Sequence, residues 1–191
     1  MRTRNGGYEA FGSLPVPTNL GTPTRPNSIQ VENVGPVITG VIHSPVYPKK
    51  NQPATVSARI TDPDGLAKVT LHYRIDPSKT TTEVEMVDNG TAQDQVANDG
   101  IFTGQLPAQT MAKLVCFQIE AEDALEEAKT SSYPSTAPAR ECLIRMGTSP
   151  AKINELGQYH FLINRDASLQ WSKNHKRSNA PLPVTMVYNG E

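Results

Sequence analysis

The chain has 191 residues and a formal net charge of −1; apolar residues make up 37% of it, and 16 prolines stand beside 13 glycines. That length admits one ordinary domain and part of another. The near-neutral charge, without a basic stripe interleaved with aromatics, excludes a nucleic-acid footprint; no apolar run is long enough to cross a membrane, and two cysteines without Cys-x-x-Cys spacing make neither a disulfide scaffold nor a zinc site.

From Met1 to Gly35 the chain is rich in Gly, Pro, Asn and Thr and shows no sustained period, which reads as an irregular N-terminal linker. Its first residues, Met1 to Glu9, lack the apolar stretch of a signal peptide, so export, if it occurs, is expected to use a signal upstream of this Met. From Pro36 to Gly147 short segments alternate apolar and polar residues with a period of two, the pattern of half-buried antiparallel strands. Strand A is expected at Val37 to His43, and strand B at Ala54 to Thr61 with Ala54, Val56, Ala58 and Ile60 on one face. Strand C carries Val69, Leu71, Tyr73 and Ile75, and strand C′ lies around Val84 and Met86. Strand E follows Asp99-Gly100 with Phe102 and Leu106 inward; strand F carries Val115, Phe117, Ile119 and Ala121, and strand G carries Cys142, Ile144 and Met146. This predicts an all-β fold, a seven-stranded immunoglobulin-like β-sandwich with a partial domain behind it.

Strand parity points Cys142 inward and Cys116 outward, so a bridge between them would require a bulge. The four histidines, His43, His72, His160 and His175, are scattered singly and read as surface or interface residues rather than metal ligands. Phosphate-cradling and dinucleotide glycine motifs, Gly-x-Ser-x-Gly and His-Glu-x-x-His are all missing, so no catalytic or cofactor-binding residue is assigned.

Carboxylates gather by topology. The B–C, C′–E and F–G connections emerge at one end, which collects Asp62, Asp64, Asp88, Asp94, Asp99, Glu122, Asp123, Glu126 and Glu127, while Lys49, Lys50, Lys79 and Lys113 mark the other end. Two readings compete for the acidic end. It could take Ca²⁺, which wants oxygen ligands, with Asp62, Asp64 and Asp123 as the best candidates; or the acids serve turns, where Asp and Asn cap the chain beside Gly. No cofactor other than calcium is implied.

The frame Pro36-Val37-Ile38, His43-Ser44-Pro45, Thr61-Asp62-Pro63-Asp64-Gly65, Val69-Thr70-Leu71-His72-Tyr73, Asp99-Gly100-Ile101-Phe102-Thr103-Gly104 and Ile119-Glu120-Ala121-Glu122-Asp123 resembles the Ig/fibronectin III-like modules of large bacterial exported proteins. Thr22 to Ser28 is similar to the close of a lamin-tail-like domain, with Thr24 where glycine is usual. Tyr159 to Ile163 and Pro183 to Gly190 resemble the opening of a spore-coat CotH-type kinase domain, with Met186 in place of Phe. The resemblance implies three parts: 1–35, linker or lamin-tail end; 36–147, the sandwich; 148–191, an incomplete CotH-type start whose catalytic motifs would lie beyond Glu191. It implies an extracellular or cell-surface location, with neighbouring domains of the same polypeptide, or a protein or surface ligand, as partners. Two functions follow as expectations: a non-catalytic spacer and interaction module, or the leading part of a protein kinase. The tail, 148–191, is expected to sample extended structure without a fixed core, and Trp171 to sit in a solvated segment.

Overall fold

Alternation of apolar and polar residues becomes two facing antiparallel sheets in the computed structural model, which describes residues 33–147, 159–174 and 179–188. The segment likened to a lamin-tail end lies outside the described residues. The chain divides into two units, Met1–Val34 and Gly35–Glu191, and all described elements belong to the second.

One sheet joins β1 (Val37–Ser44), β2 (Ala54–Thr61) and β5 (Ile101–Leu106) in the order β1-β2-β5. The other joins β3 (Leu66–Ile75), β4 (Thr82–Glu85) and β6 (Lys113–Asp123) in the order β4-β3-β6. The far edge of β6 is shared by β7 (Thr130–Tyr133), opposite Ile119–Glu122, and β8 (Cys142–Met146), opposite Lys113–Phe117. Strand G, expected at Cys142, Ile144 and Met146, is β8, while β7 is a further strand not expected from the sequence, separated from β8 by an excursion at 134–141. Thr130–Tyr133, mostly polar, carries no apolar alternation that would have marked it.

The inner faces meet in one core. Val56, Ile60, Leu71, Leu106, Val115, Ile119, Ile144 and Met146 are almost wholly shielded from solvent, Phe117 nearly so, and Tyr73, Phe102 and Cys142 pack against them. The chain crosses between sheets just after β4: Met86 donates to Val69 on one sheet, and Val87 exchanges two 2.9 Å backbone bonds with Thr103 on the other. Gly104 makes this crossing fit, because a Cβ there would stand 2.9 Å from Met86 Cγ. The result is an all-β sandwich.

The tail differs from the expectation. Strands β9 (Tyr159–Leu162) and β10 (Thr185–Tyr188) pair antiparallel, with helix α1 (Arg165–Lys173) between them in sequence. Asn164 caps the helix, its Oδ1 accepting from Ala167 N at 2.9 Å, a role its short polar side chain fills well. Leu162 and Val187 are buried against Cys116 and Leu143 on the outer face of the β6/β8 region, with Tyr47 and Leu114 beside them. Cys116 thus does point away from the main core, as parity requires, yet it is fully buried because the hairpin covers it. Both cysteines are free thiols: Cα pairing puts Cys142 opposite Phe117, and Cys116 opposite Leu143, so the two lie on opposite faces.

Candidate functional site

Three loops meet at the acidic end, as the strand count required. Ala124 N donates to Gly65 O, tying the β6–β7 turn to the β2–β3 turn, and Ile60 N donates to Gly100 O, tying in the loop before β5.

Within that end the acids do two different jobs. Asp62 Oδ1 accepts from Asp64 N at 2.9 Å and thereby closes its own turn, while its Oδ2 is buried without a hydrogen-bond partner. Asp123, fully buried, accepts from Leu125 N at 3.1 Å and Lys129 N at 3.0 Å. Asp62, Asp64 and Asp123, the best calcium candidates from the sequence, are not brought together as converging ligands; Asp62 and Asp123 hold separate turns, which is the competing chemistry anticipated for them.

The one grouping of three ligand atoms within 4.8 Å of one another, among the described residues, is Asp88, Asp94 and Asp99. All three sit in the loop between β4 and β5. Asp88 uses both carboxylate oxygens on that loop's far end, accepting from Asp99 N at 3.2 Å and Gly100 N at 2.9 Å. Asp94, 5% exposed, accepts from Gly90 N at 2.6 Å through Oδ2. Gly90 is required there: its φ is +69°, and a Cβ would press within 3.0 Å of Ala97 N. Asp99 accepts from Ile101 N at 2.8 Å through Oδ1, while Arg59 holds the Asp99 carbonyl at 3.0 Å. Asp94 Oδ1 and Asp99 Oδ2 carry no such bond, so the loop offers two unengaged carboxylate oxygens beside a third carboxylate. These acids were visible in the sequence at spacings of six and five; what could not be seen was that one loop curls them onto a common point.

At the opposite end, Arg74 sits almost buried on β3 and binds Glu141 in a bidentate pair, Nε to Oε1 at 2.6 Å and Nη2 to Oε2. Arg74 Nη1 also reaches Asp76 Oδ1 at 3.2 Å and the Ser78 carbonyl at 2.9 Å. This pairing, above all with Glu141, raises the guanidinium pKa further above its already high value. The tail joins the same network: Arg165 N donates to Asp76 Oδ2 at 3.0 Å, Asn164 Nδ2 to Glu141 Oε2 at 3.3 Å, and Lys79 pairs with Asp166.

Of the histidines, His43 is half-buried near the Val46 carbonyl, His72 lies 3.7 Å from Glu83 Oε1 and 4.0 Å from Glu120 Oε1, and His160 packs edge-on against Tyr47. None joins a three-ligand cluster among the described residues; His175 lies outside them. Trp171 is exposed, as expected, but on a helix. No helix among the described residues is long and apolar enough to cross a membrane.

Compared with known proteins, the chain matches no family model and no curated relative.

Proposed function

We propose that this chain is a non-catalytic, immunoglobulin-like spacer and interaction module of an exported bacterial protein, and that its specific task is to fix the orientation of a neighbouring part of the same polypeptide. One observation carries the reading: the β9–β10 hairpin is two-faced. Leu162 and Val187 are buried on the sandwich, whereas Tyr159, Phe161, Met186 and Tyr188 are mostly solvent-exposed and directly cross-paired, Tyr159 with Tyr188 and Phe161 with Met186. A contiguous apolar face on an ordered surface marks an interaction site. Leu162 and Val187 hold the other face, and the Arg74–Glu141–Asp76 network bonds the chain just after β9 at Asn164 and Arg165, so whatever packs on the aromatic side inherits the orientation of the sandwich. Hydrogen exchange tests this. Tyr159–Leu162 and Thr185–Tyr188 are expected to be protected in the intact chain and to lose protection in Leu162→Ala, which thins the packing under the hairpin, while β2 and β3 keep theirs; free exchange of the hairpin in the intact chain would refute a fixed orientation.

A second reading, the leading part of a CotH-type protein kinase, is favoured by one detail: the two segments that carry that resemblance pair with each other as β9 and β10. In that reading too the described residues supply no phosphate cradle, and phosphoryl transfer would depend on groups elsewhere in the parent protein. Calcium belongs to either reading at Asp88, Asp94 and Asp99, whose convergence suits a hard cation better than the turn acids Asp62, Asp64 and Asp123. A cation there would raise the melting temperature by linkage, and Asp94→Asn would abolish the rise; no shift at millimolar Ca²⁺ would dismiss it.

A further inference from the structure

The loop between β4 and β5 does more than gather acids. It folds over the outer face of the β1-β2-β5 sheet and borders an open groove of about 510 Å³, within the ~300–1,000 Å³ range of small-molecule sites. The floor is hydroxyl-bearing because alternation points the core side chains of β2 and β5 the other way: Ser44, Thr55, Ser57 and Thr103 line it. Among the described residues none of these four hydroxyls is bonded within the protein. Thr103 is the telling one. It is only 7% exposed, Ser57 is its cross-strand partner, and its hydroxyl is left facing the groove without a partner. The hydroxyl is not among the buried unpartnered atoms, so it keeps access to the groove and is free to bond a group that enters it.

The wall opposite is built of acceptors and mixed groups. Asp94 and Asp99 line it with carboxylates, and Gln93 and Gln95 add carboxamides that both donate and accept. Exposed Val96 and half-buried Ile101 supply a small apolar surface between the polar groups.

We propose that this groove binds a neutral saccharide. Sugar hydroxyls donate and accept at once, as do the hydroxyls and carboxamides lining the groove, and a sugar's C–H face needs only a small apolar contact such as Val96 and Ile101 offer. The carboxylates, with Asp88 close behind, repel an anionic ligand. An extended peptide is disfavoured because the floor is a sheet face: its central strand, β2, is paired on both sides, and Val87 already bonds the outer side of β5 at Thr103, so strand addition is blocked at both places. This site is separate from the hairpin face, and its test is independent of the orientation test above.

The experiment is a ¹⁵N NMR titration of the whole chain with a panel of neutral hexose and N-acetylhexosamine oligosaccharides at millimolar concentration, beside sialyllactose as the anionic comparison. Saturable shifts are expected at Ser57, Thr103 and residues 93–96 with at least one neutral saccharide. Thr103→Val, which keeps the side-chain shape and removes the hydroxyl, is expected to weaken binding by about 3- to 10-fold, the worth of one hydrogen bond, with an unchanged melting temperature. Asp94→Asn is expected to weaken it as well. The proposal is overturned by no saturable shift with any neutral saccharide, by shifts that map to the hairpin instead, by preference for sialyllactose, or by a folded Thr103→Val that binds as tightly as the unaltered chain.

Discussion

Burial acts on individual titrating groups in ways the sequence could not disclose. His43 reads as one more isolated histidine, but the structure half-buries its ring, and desolvation, the larger effect, pulls its pKa below the ordinary 6.5 while the Val46 carbonyl pulls it back in part. The unfolded chain then takes up a proton first as the solution is acidified, so this residue's contribution to stability is present above about pH 6.5 and is lost as the pH falls toward the folded value. The urea midpoint should drop between pH 7.5 and 5.5, and His43→Gln should flatten that segment of the profile; an equal slope in the variant would remove His43 as the cause. The acids teach a related lesson. Asp62, Asp64 and Asp123 were the calcium candidates among the acids gathered at one end, yet Asp62 and Asp123 close their own turns. Asp88, Asp94 and Asp99 come together only through the curl of one loop, and single-residue spacing does not encode that curl.

Among the elements, legibility followed apolar alternation. Strand β2 runs as expected, Ala54 to Thr61, because four small or branched apolar residues alternate without interruption. The parity of β6 also held: Phe117 is 3% exposed, and Phe117→Ala is expected to cost roughly 3 to 5 kcal/mol, measurable by urea unfolding, where a midpoint near that of the parent would contradict the packing. Strand β7 was illegible because its side chains are Thr, Ser, Ser and Tyr, and it exists through backbone pairing with β6. Helix α1 has few apolar residues and buries only Ala167; its sequence signature is local, the Asn164 cap followed by Asp166 in the first turn, with no apolar periodicity to mark a helix. The bond between these late elements and the sandwich was hidden too, because Arg74 and Glu141 are 67 positions apart. Removing one partner from so buried a pair strands the other charge. Glu141→Ala should therefore cost about 3 to 5 kcal/mol, while Arg74→Met with Glu141→Leu together should restore most of it, since a buried ion pair contributes little beyond what apolar packing supplies. Two singles whose costs simply add in the double would show that the groups do not act as a pair.

For the whole molecule the consequence is a hierarchy of stability, set by how much apolar surface each layer holds. Among the described residues the main core has fourteen buried residues drawn from both sheets, whereas four, Cys116, Leu143, Leu162 and Val187, seal the hairpin to the outer face. Local opening takes the smaller layer first. Cys116 reports on it directly: it lies wholly beneath the hairpin, and burial, reinforced by the nearby Glu141 carboxylate, pushes its thiol up to about 12, so at neutral pH it presents almost no thiolate to a labelling reagent. Undocking the hairpin restores solvent and a thiol pKa near the ordinary ~8.5. Labelling of Cys116 should therefore track hairpin opening when opening and closing are fast relative to the chemistry. Leu162→Ala removes packing from the small layer without touching any charge; at the low end of the ~2–5 kcal/mol range for such truncations, it should speed Cys116 labelling about 30-fold. The thermal unfolding of the sandwich should move little. Mass spectrometry separates Cys116 from Cys142, whose thiol burial also raises, to about 11, and which packs against the main core rather than under the hairpin. An unchanged Cys116 rate in Leu162→Ala, or acceleration of both thiols by the same factor, would mean that hairpin and sandwich open only together.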